Sequence, residues 1–157
     1  MDQLFKPQAL SPLLVIALTG AIGAGQSFVR TALVNGLASY GYDILPIDIS
    51  TLIVASFVKA GHEEPRFRNQ AERFRWLQST GNGLRSTHGS DLMAGLCVEN
   101  INEYISGKSP HDRVAVIIDS LKHPDEVRTL RHVFRECFYL VGVVASEHTR
   151  AERLRER

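Results

Sequence analysis

An unbroken apolar run that ends in a glycine-rich turn and leads straight into a helical pattern restricts this chain more than any other feature. Leu13-Leu14-Val15-Ile16-Ala17-Leu18-Thr19 carries no charge, as a parallel strand buried on both faces requires. Over 27–40, Val29, Leu33 and Leu37 recur at helical spacing. Between them lies Gly20-Ala21-Ile22-Gly23-Ala24-Gly25-Gln26-Ser27. It matches the phosphate-binding loop template G-x-x-x-x-G-K-[S/T] at Gly20, Gly25 and Ser27, with Gln26 in the lysine's place.

The chemistry of such a loop is specific. Its backbone N–H groups and the helix N-terminus bind anionic phosphates, and glycines let the backbone come close. The phosphate-binding candidates are therefore Gly20, Ala21, Gly23, Ala24, Gly25, Gln26 and Ser27. The Ser27 hydroxyl is a candidate Mg²⁺ ligand. The lysine of the template compensates charge during phosphoryl transfer, whereas Gln26 donates hydrogen bonds without charge. Losing one preorganised donor at a reacting centre costs about 10²–10³ in rate. Nucleotide binding can survive this change where transfer does not. The plainer alternative is a strand–helix turn that binds nothing.

At 157 residues the chain suits one domain with a substantial core. Its 44% hydrophobic and 22% charged residues are ordinary globular values. A net charge of +1 gives no reason to expect a nucleic-acid-coating or membrane-surface protein. Cys97 and Cys137 lack metal or redox spacing and read as reduced core thiols. No apolar run reaches transmembrane length, and residues 1–12 form a polar extension without the features of a signal peptide. A cytoplasmic protein is expected, with its domain over 13–157.

Gly41 marks the end of the first helix. Strands follow over 43–48, weakened toward an edge by Pro46, then 113–119 and 138–144. Helices are expected over 51–59 with Ser50 as cap, 66–78, 90–105 and 125–134 behind Pro124, and from Glu147 onward, with a turn at Gly81-Asn82-Gly83. Strands alternating with helices imply an α/β fold, a P-loop NTPase-like three-layer sandwich with a mainly parallel sheet, lacking its last strand. Ligands of such sheets bind at the carboxyl ends of the strands.

Candidate residues collect at those ends. Asp119 ends an aliphatic strand, where a carboxylate holds Mg²⁺ or its water, or else caps the next turn. Asp48 could act as a base or substrate contact, or simply open the following helix. Arg85 and His88, after the glycine turn, could meet a second phosphate or lie in a solvated loop. Arg150, Arg153 and Arg157 share one helical stripe, either a solvated face or a lid that supplies arginines to a triphosphate. The stretch from Arg66 to Trp76 interleaves cations with aromatics. Such a pattern can stack single-stranded nucleic acid, but it reads better as a core-facing stripe of Phe67, Ala71, Phe74 and Gln78.

Three stretches together carry a resemblance: the loop at 20–27, the segment 81–91, and the segment 117–127 with Leu130-Arg131 and the strand behind it. On them the chain resembles the P-loop, nucleotide-kinase-like N-terminal domain of bacterial anti-phage dCTP/dCMP deaminases, over nearly all its length from Leu13. The resemblance implies a nucleotide-sensing domain joined in those proteins to a C-terminal zinc deaminase that depletes deoxycytidine nucleotides, some of them restrained by a partner RNA. The motif pair H-x-E and P-C-x-x-C that such zinc chemistry needs is not found: His88-Gly89-Ser90 lacks the glutamate, and Cys97 and Cys137 lack the spacing. No zinc is expected in this chain. The expected ligand is a nucleoside triphosphate with Mg²⁺, in a domain that could form a homo-oligomer. A small nucleotide or coenzyme-precursor kinase is the alternative, and an RNA-binding module the third.

Overall fold

The computed structural model describes residues 12–155. Residues 1–11 of the N-terminal extension and Arg157 of the arginine stripe lie outside the described residues. The elements run β1 (Leu13–Gly20), α1 (Gln26–Ser39), β2 (Asp43–Asp48), α2 (Ile49–Lys59), α3 (Gln70–His88), α4 (Leu92–Ser106), β3 (Val114–Asp119), α5 (Pro124–Phe134), a 3-10 turn (Arg135–Cys137), β4 (Phe138–Val143) and α6 (Glu147–Arg155). The four strands pair in the order β2-β3-β1-β4, and every pair is parallel. β2 is an edge strand, where Pro46 leaves no ladder bond broken on a second side.

Alternation along β1 assigns the two faces. Ile16 and Leu18, with Ile117 of β3, pack under Val29, Leu33, Val34 and Leu37 of α1. Val15 and Ala17 face the larger core, built with Ile53 of α2, Met93 and Cys97 of α4, and Leu130 of α5. Helices therefore cover both faces of a parallel sheet, as expected. The first helix ends in a Schellman arrangement, with Gly41 N donating to Ala38 O and Tyr42 N to Leu37 O. His123 and Glu126 form a capping box around Pro124 at the start of α5.

Several expectations fail locally. No turn occurs at Gly81-Asn82-Gly83; α3 continues through it to His88. Gly81 is buried, and a Cβ there would lie 3.1 Å from Ile53 Cδ1. Its glycine serves the approach of α3 to α2, and tertiary packing overrides a helix-propensity cost of about 1 kcal/mol. The same helix starts at Gln70 instead of Arg66, because Asn69 caps it by accepting from Glu72 N at 2.9 Å. Phe67 thus precedes the helix, and the stripe that packs on the core is Trp76, Leu77 and Leu84, while Ala71 and Gln78 are exposed. α2 begins one residue before Ser50, capped by Asp48. Cys97 is fully buried, whereas Cys137 is only half-buried in the 3-10 turn.

Burial pushes the Cys97 thiol up from 9.0 to about 12, with the Glu126 carboxylate adding to the effect. The folded state keeps this proton between those two values where the unfolded chain loses it, so the contribution is full below pH 9.0 and fades toward about 12. Alkylation mapped by mass spectrometry at about pH 8 should leave Cys97 unmodified in the native protein and label it after denaturation. Rapid native labelling would contradict its placement.

Candidate functional site

The carboxyl ends of the strands meet at one open cleft of about 930 Å³. Its walls include the loop 20–27, Asp48 at the end of β2, Asp119 at the end of β3, Arg85 of α3 and Arg150 of α6. Asp48 and Asp119 are register partners on adjacent strands, which brings the two carboxylates to the same rim.

The loop is shaped by backbone constraints. Gly25 is the N-cap of α1 at φ 100, a left-handed conformation that excludes most side chains. Gly20 lies so close to β4 that a Cβ would sit 2.4 Å from Val143 O. Within the loop, Ala24 N closes a turn onto Ala21 O at 3.1 Å. The head of α1 has no side-chain cap and no acidic residue in its first turn. Its leading N–H groups and partial positive charge are left uncompensated by the helix itself. Gln26 adds a further donor, since its Nε2 is buried and makes no hydrogen bond, an arrangement that costs about 1–3 kcal/mol until an acceptor arrives. Ser27 is exposed.

Of the carboxylates, Asp119 accepts from Ser120 Oγ at 3.1 Å and lies 3.7 Å from Arg30 Nε of α1. Asp48 caps α2, its Oδ1 accepting from Ser50 N at 2.7 Å; opening that helix is the structural role the geometry displays. Ser27 and Asp119 offer hard oxygen donors, which suit Mg²⁺; this ion needs only one or two carboxylates beside the phosphates it accompanies. Among the described residues no cluster of three His, Cys, Asp or Glu is grouped for a metal. The tripeptide His62-Glu63-Glu64 satisfies H-x-E as a string. It lies on an exposed loop where His62 stacks on Phe57, ring centroids 4.2 Å apart.

The cations divide by what holds them. Arg85 Nε donates to Glu126 Oε1 at 2.7 Å, and Arg85 Nη2 stands 2.6 Å from the same oxygen, with Glu126 fully buried. Its charge is already matched, on a helix and not after a turn. His88 is exposed at the end of that helix and does not line the cleft. Arg153 reaches the loop: Nη1 donates to Ala24 O at 2.9 Å and to Gly23 O at 3.3 Å. It grips the loop's carbonyls without lining the cleft, whereas Arg150 packs on Gly23 and does line it.

Residues that the sequence did not assign to the site also line the cleft, Phe74 and Gln78 of the expected core-facing stripe among them. Arg73, Phe74, Gln78 and Asn82 present one face of α3 to it, at the spacing of three to four that marks a helical stripe. Lys122 is a further addition. Its position depends on the reversal at Ser120 (φ 69), which no sequence pattern announces.

Replacing Arg85 by Met should leave the buried Glu126 charge uncompensated and destabilise the fold by about 3–5 kcal/mol. Urea unfolding of R85M checks this; a loss below about 1 kcal/mol would show that the pair behaves like a solvent-screened one.

No family model and no curated protein matches the chain. Among solved structures it resembles TT1252 from Thermus thermophilus, at 17% identity and a TM-score of 0.50, covering 92% of this chain and 72% of that one. It also aligns with APE1195 at 19% identity and a TM-score of 0.47, covering 93% of this chain and 71% of that one. The first likeness is one of fold alone, and it agrees with the parallel α/β sandwich described above.

Proposed function

We propose that this chain is a P-loop domain that binds a nucleoside triphosphate with Mg²⁺ and serves a sensing or regulatory role, with slow phosphoryl transfer. The observation that carries the reading is the uncapped head of α1 beside the buried, unpartnered amide of Gln26. Both are donors, both belong to one glycine loop, and that loop walls the cleft that Asp119 also lines. Backbone amides hold the phosphates, Gln26 Nε2 donates to a phosphate oxygen, and Ser27 and Asp119 hold the ion, which neutralises phosphate charge. Arg150 is the lid cation at the cleft, with Arg153 bracing the loop from behind.

The resemblance to anti-phage deoxycytidylate deaminases supports placing this domain in such a protein, in the cytoplasm. There, a C-terminal deaminase and a regulatory RNA would be its partners and self-association a further possibility to test. A second reading is favoured by a specific feature. The α3 face with Arg73, Phe74, Gln78 and Asn82 in the same cleft leaves room for a phosphoryl acceptor, as in a nucleotide or coenzyme-precursor kinase, with Asp48 as its base.

Thermal melting with and without Mg²⁺-nucleotide separates these. Saturable stabilisation of the wild type should lose its Mg²⁺ dependence in S27A and D119N, and diphosphate should accumulate only slowly. Stabilisation that is unchanged in both variants would remove the assigned ion site. For the kinase, Q26K should raise turnover by about 10²–10³; an enzyme that remains silent with lysine at position 26 counts against it.

A further inference from the structure

Gln26 removes a cation from the loop, yet the fold brings another to the start of that loop. Beyond β3 the chain reverses at Ser120 (φ 69), and Leu121 N donates to Leu18 O at 3.0 Å. The next residue is anchored in turn, Lys122 N donating to Glu126 Oε2 at 3.3 Å. These bonds tie the post-β3 loop to β1 and to the start of α5. They aim the Lys122 side chain across the mouth of the phosphate loop, where Nζ donates to Gly20 O at 2.5 Å. Lys122 lines the same cleft as Gln26, Ser27 and Asp119.

Arg73 and Arg150 also line the cleft, from α3 and α6, while the remaining cations near the loop are committed elsewhere. Arg85 is matched by Glu126, Arg30 faces Asp119, and Arg153 is spent on loop carbonyls outside the cleft. Lys122 forms no ion pair with a carboxylate among the described residues. An ammonium has three donors on a flexible stem. With one used on Gly20 O, two remain for phosphate oxygens.

We infer that Lys122 supplies the phosphate-facing cation that Gln26 withholds, binding the β- and γ-phosphates of a nucleoside triphosphate from the β3 side of the loop; this rests on the triphosphate reading above. Burial against the loop holds the ammonium below the usual lysine pKa, and the nearby Asp119 carboxylate offsets part of that. An approaching polyphosphate would complete the compensation. The cation then recognises the distal phosphates and leaves the base and sugar to other residues.

Calorimetric titration of the wild type, K122A, K122Q, K122R and the double variant K122A/Q26K tests this, with Mg²⁺ complexes of ATP and dCTP and with the matching monophosphates. A charged hydrogen bond lost from the distal phosphates should weaken triphosphate binding about 10–100-fold in K122A and K122Q, with the monophosphates little changed. K122R should retain most of the affinity, and Q26K should recover it in the K122A background, because two cations serving one phosphate are non-additive. Equal triphosphate affinity in wild type and K122A, or an equal loss for mono- and triphosphates, would overturn the assignment while leaving the triphosphate site standing. A wild type that binds no triphosphate would remove both.

Discussion

Everything at the cleft depends on β1 being hydrogen-bonded on both sides. β3 holds it along Leu13 to Ala17 and β4 along Val15 to Gly20, so the strand is rigid up to the residue where the phosphate loop begins. The closeness of Val143 O to Gly20 shows how tightly that exit is clamped. A loop emerging from a mobile strand end could not keep its amides aimed at one point, and preorganised donors are effective because they need no rearrangement when charge arrives.

Charge around the loop has been rearranged more than lost. The loop itself carries no lysine, and its left-handed Gly25 and uncapped helix head offer only dipoles. Formal charge comes from outside it: Lys122 from the post-β3 loop, Arg150 and Arg153 from α6. Phosphate bound at the proposed site would be coupled to segments on either side of β1. Occupancy could then be felt at α5, which the Lys122 backbone contacts through Glu126, and at α6. For a sensor such coupling matters more than speed of transfer.

Local chemistry was legible where one residue decides one feature. Apolar continuity marked β1, Pro46 marked an edge strand, Pro124 marked the start of α5, and the glycine template located the loop. The sequence reading went wrong where two distant segments decide together. Gly81 looks like a turn residue until Ile53 is found against it, and Arg66 to Trp76 looks continuous until Asn69 is seen capping α3. The site followed the same division. The loop and the strand-end Asp48 and Asp119 were legible from spacing. The pairing of Arg85 with Glu126 spans 41 residues, and the reach of Lys122 to Gly20 spans 102; neither has a local signature.

On the proposed reading, the head of α1 and the Gln26 amide form an anion receptor. The most direct measurement is an amide NMR titration of the ¹⁵N-labelled chain with Mg²⁺-ATP and Mg²⁺-dCTP, following the backbone of 20–27 and the Gln26 side-chain amide. These signals should move together and saturably, with the Gln26 side chain among the largest shifts. Saturable binding that leaves the loop and Gln26 unmoved, or no response at all, would contradict that reading.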